Sequence, residues 1–437
     1  MTGPHRLNFA FIGAGSGSFT LRVVSEILRQ GDWLAGGDLR LVDTNPEALE
    51  TAHAAVGALI RKSEKDFAVT RCADYHEALP GLDFLYFTFL VGGYALWKED
   101  IAISTRHGVL HTLGDTTGPG GLMRTLRNAP VALDIARAME KACPNAWAIN
   151  CSNPVGSLGL VIVENTGIRT FGQCAGTENQ AERLARHVFE VDKARVQYQA
   201  GGINHFTFFT RLAVDGKDAL PGLRERLIAA GYHQKEPIAF EIFERYGLYP
   251  APNDCHAMEF FSCYLRPRVL REKNYAHQNN DFAWVDQHRQ HAAATMEKVI
   301  RGEIGADAID AAGETSMRFV RALCSGGPIR EMTNVANKGY IDNISDGLTV
   351  EVPVFADAFG LHPQHIGPLP EGIAARCEAV ARAHRLAARA GVACDRNLAL
   401  QALLLDPLAA HCDYPEALLD DLLRASRDCL PDAWGLS

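Results

Sequence analysis

At 437 residues the chain is long enough for two packed domains, and with 47% hydrophobic and 22% charged residues it has a globular composition. A formal net charge of −9 argues against nucleic acid or an anionic membrane surface as the main partner. No apolar stretch reaches bilayer length and Met1–Arg6 runs straight into a strand, so no membrane partner, no signal peptide and a cytoplasmic address are expected.

Residues 8–12 read as a strand, followed directly by Gly13-Ala14-Gly15-Ser16-Gly17-Ser18-Phe19 and a helix over 19–30. A strand over 39–42 leads to a helix over 46–65, with Asn45 as its cap and Pro46 in its first turn. Strands over 67–72 and 84–88, a helix over 123–141, a strand over 146–149 and a helix over 153–164 complete a βαβ rhythm. The alternation weakens after Cys174. Segments 197–202 and 206–212 read as paired strands, and 339–354 as a hairpin-like strand segment. Helices are expected over 240–246, 257–265, 282–301, 315–324 and 372–393. The predicted fold class is α/β. A Rossmann-type, doubly wound parallel sheet spans 1–195, and a mixed α+β domain for substrate, metal and oligomer contacts spans 196–437. No Pro/Gly/Ser-rich linker separates them, so they are expected to fuse around one cleft.

The glycine loop carries the first functional signal. Gly13 permits a tight turn, and Gly15 lets backbone approach a pyrophosphate at the helix N-terminus, with Ser16, Ser18 and Phe19 beside it. Ser18 stands where a third glycine is often found. Asp43, ending the second strand, is placed to accept both ribose hydroxyls, which favours NAD over NADP. The plain alternative is a mere strand–helix turn, but the strand, helix and acid agree with the cofactor reading.

Gly114–Gly121 surrounds Asp115 with glycines, and Arg124 and Arg127 follow; this is either a ligand-contacting loop or a flexible one. Asn153 closes Asn150-Cys151-Ser152-Asn153-Pro154 at a strand's carboxyl end, where it either contacts a sugar or nicotinamide or caps the next helix. Cys174 and His205 offer one thiolate and one imidazole to a divalent metal, although their separation forms no local signature and each could be plain packing. Eleven cysteines without regular spacing otherwise fit free thiols. In Asp254-Cys255-His256 with Glu259, Asp254 is a natural helix cap, and His256 and Glu259 share a helical face.

Together these segments resemble glycoside hydrolase family 4, the NAD- and metal-dependent glycosidases related to lactate and malate dehydrogenases. The resemblance includes Gly13–Ser16 with Asp43, the Gly114–Gly121 loop and Arg124, Asn150–Pro154, Cys174, Asn204-His205 and the Asp254/His256/Glu259 cluster. Asn334–Ile341 and Val350–Pro353 extend it over nearly the full length. It implies cleavage of a small pyranoside, with an acidic group (uronic, phosphorylated or sulfonated) left open, by oxidation at C3, deprotonation at C2, elimination, water addition and re-reduction. That chemistry lies outside the two-carboxylate route. Cys174 and His205 would hold Mn²⁺ or another divalent metal, and Arg124, Asn153, Asn204 and Asp254 would contact substrate. Asp115 would act near the leaving group, and Tyr246, Tyr249 and His256 are the candidates for the C2 base. A homodimer or homotetramer is implied as well. Two departures stand out. Ala175 follows Cys174 where many relatives have His or Asp, and Leu90 precedes Val91-Gly92-Gly93 where many have Arg. Lys98, Arg106, Arg124 and Arg127 are a candidate anion pocket. The rival readings are an NAD-dependent 2-hydroxy-acid or polyol dehydrogenase, which would accumulate NADH, and an inactive NAD-binding sensor.

Overall fold

A computed structural model describes residues 4–273, 280–311, 315–325 and 327–436, the side chains of Ser18, Arg271 and Lys273 excepted. Among the described residues thirteen strands form one sheet. They are β1 His5–Arg6, β2 Phe9–Ile12, β3 Leu34–Val42, β4 Asp66–Cys72, β5 Phe84–Phe87, β6 Trp147–Asn150, β7 Arg169–Gly172, β8 Val196–Ile203, β9 Phe206–Val214, β10 Lys217–Asp218, β11 Ile329–Ala336, β12 Thr349–Asp357 and β13 Gly360–Pro363. Strands β4-β3-β2-β5-β6-β7 run parallel in that order, with β1 also on β3. This is the doubly wound order of a Rossmann sheet, which reverses direction between β2 and β5.

Sequence pattern explains the centre of this sheet. Every residue of β2 and β5 is buried, as continuous apolar runs covered on both faces should be. Phe11 stacks on Tyr86 at 5.2 Å between ring centroids. The flanking helix Pro46–Arg61 starts as its sequence demands, Asn45 Oδ1 accepting from the amides of Glu47 and Ala48 at 3.1 Å each.

The sheet does not end at β7. It continues through β11, β12, β8, β9 and β10, now antiparallel, so one hydrogen-bonded surface crosses the expected boundary at 195/196. A single row of residues makes the joint: Gly172 on β7 opposes Asn334 on β11, Asn334 opposes Glu351 on β12, and Glu351 opposes Gly202 on β8.

Several elements differ from expectation. β3 begins at Leu34 rather than 39, because Gly36-Gly37, ordinarily a break, is paired by β1 and β4. The helix expected from 123 starts at Gly118 and runs to Ala142. Residues 257–265 are not one helix: a short turn Asp254–Ala257 passes into a 3₁₀ turn Met258–Phe260. The hairpin arms are β11 and β12, and 337–348 is a connection held by Asn337. Its Oδ1 accepts from Tyr340 and Ile341 amides, while its Nδ2 donates to the Ile341 and Ile344 carbonyls. Helices Gly93–Arg106, Gly176–His187, Arg396–Leu405 and Pro415–Ala425 were not anticipated. Helix Glu371–Ala393 packs on Gly118–Ala142, Val155–Asn165 and Arg396–Leu405. None of the eleven cysteines is joined in a disulfide. No helix among the described residues is long and apolar enough to cross a membrane.

Candidate active site

The reversal between β2 and β5 opens a crevice at their carboxyl ends, and the glycine loop lies there. Gly13 adopts φ +87°, and a Cβ on it would come within 2.7 Å of Phe89 Cα and 2.8 Å of the Thr88 carbonyl. Only glycine fits both the turn and the close neighbour. A 3₁₀ turn Ala14–Ser16 then feeds helix Ser18–Arg29. Asp43 Oδ2 accepts from the Gly15 amide at 2.7 Å and Oδ1 from the Asn45 amide at 2.8 Å. Each oxygen keeps a lone pair for a ribose hydroxyl. Ser16 is exposed beside the loop, Phe19 packs on the core, and the Ser18 side chain lies outside the described residues.

A second constellation forms where the loop before helix Gly118–Ala142 meets β6 and β8. The glycines here serve packing. A Cβ at Gly120 would lie 2.5 Å from the Gly114 carbonyl oxygen, and one at Gly121 would lie 2.3 Å from that of Thr116. The helix N-terminus is already satisfied, the Gly118 amide donating to Asp406 at 2.8 Å. Glu259, buried, accepts from the amides of Leu113 and Gly114 at 2.8 Å each. His384 lies with Nε2 2.9 Å from the Thr116 carbonyl; burial pushes its pKa down to about 4, so the neutral ring donates. Asp115 thus sits on a loop pinned from both sides.

Asn153 Nδ2 donates to Asp115 Oδ2 at 2.9 Å, and Thr116 Oγ1 donates to Asp115 Oδ1 at 2.8 Å. His205 Nδ1 lies 2.8 Å from Thr116 Oγ1 and 3.8 Å from Asp115 Oδ1. Its ring meets that of His256 edge-on at 4.3 Å. Ligand atoms of Asp115, His205 and His256 lie within 4.8 Å of one another, and Cys174 lines the same cavity as His205 and His256. Burial works against charge on His205, but Cys174, Asp115 and Glu351 outweigh it and lift the pKa to about 9. Burial also raises the Asp115 carboxyl, yet His205, Arg124 and His256 leave it below its usual value.

These groups border a cavity of about 520 Å³ whose lining includes Cys174, His205, His256, Glu351, Arg183 and Arg186. Asn253 Oδ1 accepts from His256 Nδ1 at 2.9 Å, which makes Nε2 the basic nitrogen. Arg124 is buried near Asp115, its guanidinium 4.3 Å above the Trp97 ring, and its Nε has no hydrogen-bond partner among the described residues.

Other expected site residues lie elsewhere. Tyr249 is fully buried in an apolar cluster, and burial pushes its phenol well above the usual value. Tyr246 packs against Phe261 and Gly372. Asp254 spends both oxygens on the amides of Ile238 (3.0 Å) and Ala239 (2.8 Å), at the start of helix Pro237–Tyr246. Asn204 donates through Nδ2 to Glu351 at 3.3 Å. The grouping of Lys98, Arg106, Arg124 and Arg127 as one anion pocket does not hold. Arg127 is locked to Asp100 at 2.6 and 3.0 Å, and Arg106 is exposed beside Glu99. Thr116 and Asn253 were given no role from sequence, and Asn334 and Glu351 entered only within the segments Asn334–Ile341 and Val350–Pro353 of the family resemblance. For Glu351 a signal existed, since it is the one charge in the apolar run Thr349–Ala356.

A Rossmann sheet whose carboxyl edge carries both the glycine loop after β2 and Asn153 after β6, the latter bonded to a carboxylate beside two imidazoles, defines a dinucleotide-fold enzyme with metal-ligand chemistry at its site. The chain belongs to glycosyl hydrolase family 4 and is a glycosidase: "Family 4 glycosyl hydrolase" matches residues 8–190, and the family's C-terminal domain matches 200–409. An α-galacturonidase of Thermoanaerobacter italicus is 26% identical, over 97% of this chain and 97% of its own. An α-galactosidase of Bacillus subtilis is 27% identical, over 97% of this chain and 98% of its own. The solved 6-phospho-α-glucosidase from gut microorganisms, in complex with NAD and Mn²⁺, shares the fold at a TM-score of 0.83 and 21% identity, covering 98% of this chain and 99% of that one.

Proposed function

We propose that this glycosidase cleaves a small pyranoside, galacto-configured and carrying an acidic group, by transient oxidation at C3 and elimination across C1–C2. The observation that carries the reading is the cluster of Asp115, Asn153, Cys174, His205 and His256 beside a glycine-loop crevice. The names of the two relatives support the galacto configuration. Buried Arg124, near Asp115 and with its Nε lacking a hydrogen-bond partner among the described residues, supports the acidic group.

The residues fit both cofactors. Gly13, Gly15 and Asp43 would hold NAD, because the loop leaves no room for side chains and the acid is preset by two amides. Cys174 and His205, with Asp115 and His256 beside them, would hold Mn²⁺ or another divalent ion, because they bring a thiol, two imidazoles and a carboxylate together, the ligand atoms of Asp115, His205 and His256 lying within 4.8 Å of one another. When bound, NAD supplies reversible oxidation at C3, and the ion supplies Lewis-acid polarisation of the sugar oxygens. Asn153 and Thr116 orient Asp115, which would act beside the metal or the leaving group. His256, whose Nδ1 donates to Asn253 Oδ1 and which lines the cavity, would be the group that accepts the C2 proton. The ketone at C3 is what makes that proton removable by an imidazole.

The test is aglycone release from aryl galactosides and galacturonides, with 6-phosphorylated and 6-sulfonated glycosides alongside, with and without NAD and Mn²⁺, in D₂O. Release that requires both, with deuterium at C2 of the freed sugar and no net NADH, is the expected outcome. NADH accumulating without release would instead identify a dehydrogenase, and release without NAD would overturn the redox route. A second expectation concerns the crevice. Asp43→Ala should weaken NAD binding about tenfold or more while leaving Mn²⁺ binding unchanged, and an unaltered NAD affinity would remove Asp43 from the ribose site.

A further inference from the structure

Glu351 is the group in this neighbourhood that the chemistry above does not use. It is buried on β12, and three side chains converge on its carboxylate. Thr177 Oγ1 donates to Oε1 at 2.8 Å, and Asn204 Nδ2 and Asn334 Nδ2 donate to Oε2 at 3.3 Å each. The first two donors lie on the segments that carry the metal ligands. Thr177 is three residues after Cys174, on the helix Gly176–His187 that begins beside it, and Asn204 immediately precedes His205. His205 itself stands at φ +63°, a left-handed conformation uncommon for a residue with a side chain and held only when its surroundings insist on it. Asn334 opposes both Gly172 and Glu351 in the row that joins the two halves of the sheet.

We infer that Glu351 is a positioning residue that clamps the Cys174 and His205 segments into one metal site through Thr177 and Asn204. An acceptor-only carboxylate suits this task. It takes three donors at once and decides which end of each amide faces it. A glutamine can turn its oxygen to the two asparagines and its amide nitrogen to Thr177 Oγ1, which also contacts Thr207 Oγ1 at 2.8 Å and can pass its own proton there. The clamp thus survives loss of the charge but not loss of the side chain.

The inference rests on the metal reading above, and the experiment separates the two. Mn²⁺ binding to the full chain saturated with NAD is followed by the electron paramagnetic resonance signal of the free ion, with NAD affinity measured in parallel as the check on folding. Glu351→Ala and Asn204→Ala should each weaken Mn²⁺ binding about 10–100-fold, with NAD affinity held within about twofold. Glu351→Gln should stay within about threefold of the parent. The double variant Glu351→Ala/Asn204→Ala should be no weaker than the weaker single one, because the two act through one contact. Glu351→Ala binding Mn²⁺ like the parent, or losses that add in full, would overturn the clamp. Cys174→Ser is the control: if it binds Mn²⁺ like the parent, the metal reading itself fails, whatever Glu351 does.

Discussion

Cys174→Ser is expected to cut metal-dependent turnover by about a thousandfold while NAD affinity changes by less than about twofold. A serine replaces the soft sulfur beside His205 with a hard hydroxyl oxygen, so the variant loses a soft ligand. Lewis-acid stabilisation supplies several kcal/mol, and about 4 kcal/mol corresponds to three decades in rate. Cofactor binding should survive because the glycine loop and Asp43 are held by their own contacts, none of which involves Cys174. Steady-state aglycone release with excess Mn²⁺, beside calorimetric NAD titration, checks both halves. Turnover within tenfold of the parent would take Cys174 out of the site.

The second large effect falls on stability. Arg127 and Asp100 have side-chain exposures of 0% and 1%, and the guanidinium also reaches Ser426 Oγ at 2.8 Å and the Val91 carbonyl at 3.2 Å. Arg127→Met strands the carboxylate in a medium that already pushes its pKa up by burial, and the expected cost is about 3–5 kcal/mol. Removing both charges in Asp100→Leu/Arg127→Met should recover most of that loss, since no ion is then left unpaired. Urea midpoints report the stability, and the KM for an acidic glycoside should not move. A destabilisation under 1 kcal/mol would contradict the structural role, and a raised KM in a fully folded variant would return Arg127 to substrate binding.

The Rossmann half was legible because its signals are local. An apolar run, a glycine turn, a capped helix and an acid at the next strand end all lie within a few tens of residues. Cys174 and His205 were legible only through their resemblance to a family pattern, since thirty residues separate them and spacing alone says nothing. Glu351, Asn334 and Thr177 meet only because β7, β11, β12 and β8 share one row, and that register is tertiary information. Tyr249 and Asp254 show the opposite failure. The family resemblance recommended them, but packing put Tyr249 in a core cluster, and Asp254 serves a helix start, as its plain reading as a cap had it. The glycines around Asp115 suggested an open loop for a ligand, whereas they let two backbone segments touch.

The antiparallel extension beyond β7 has a practical corollary for anyone dissecting the chain. A fragment ending near residue 195 would keep the whole parallel sheet yet expose the strand Arg169–Gly172 as a bare outer strand, its free amides and carbonyls open to any passing chain. The same cut would remove His205 and Glu351 and leave Cys174 as a solitary thiol. The glycine-loop crevice and the cluster around His205 therefore share one continuous sheet, and recombination between relatives should respect the seam at Gly172, Asn334, Glu351 and Gly202 instead of the apparent midpoint of the sequence.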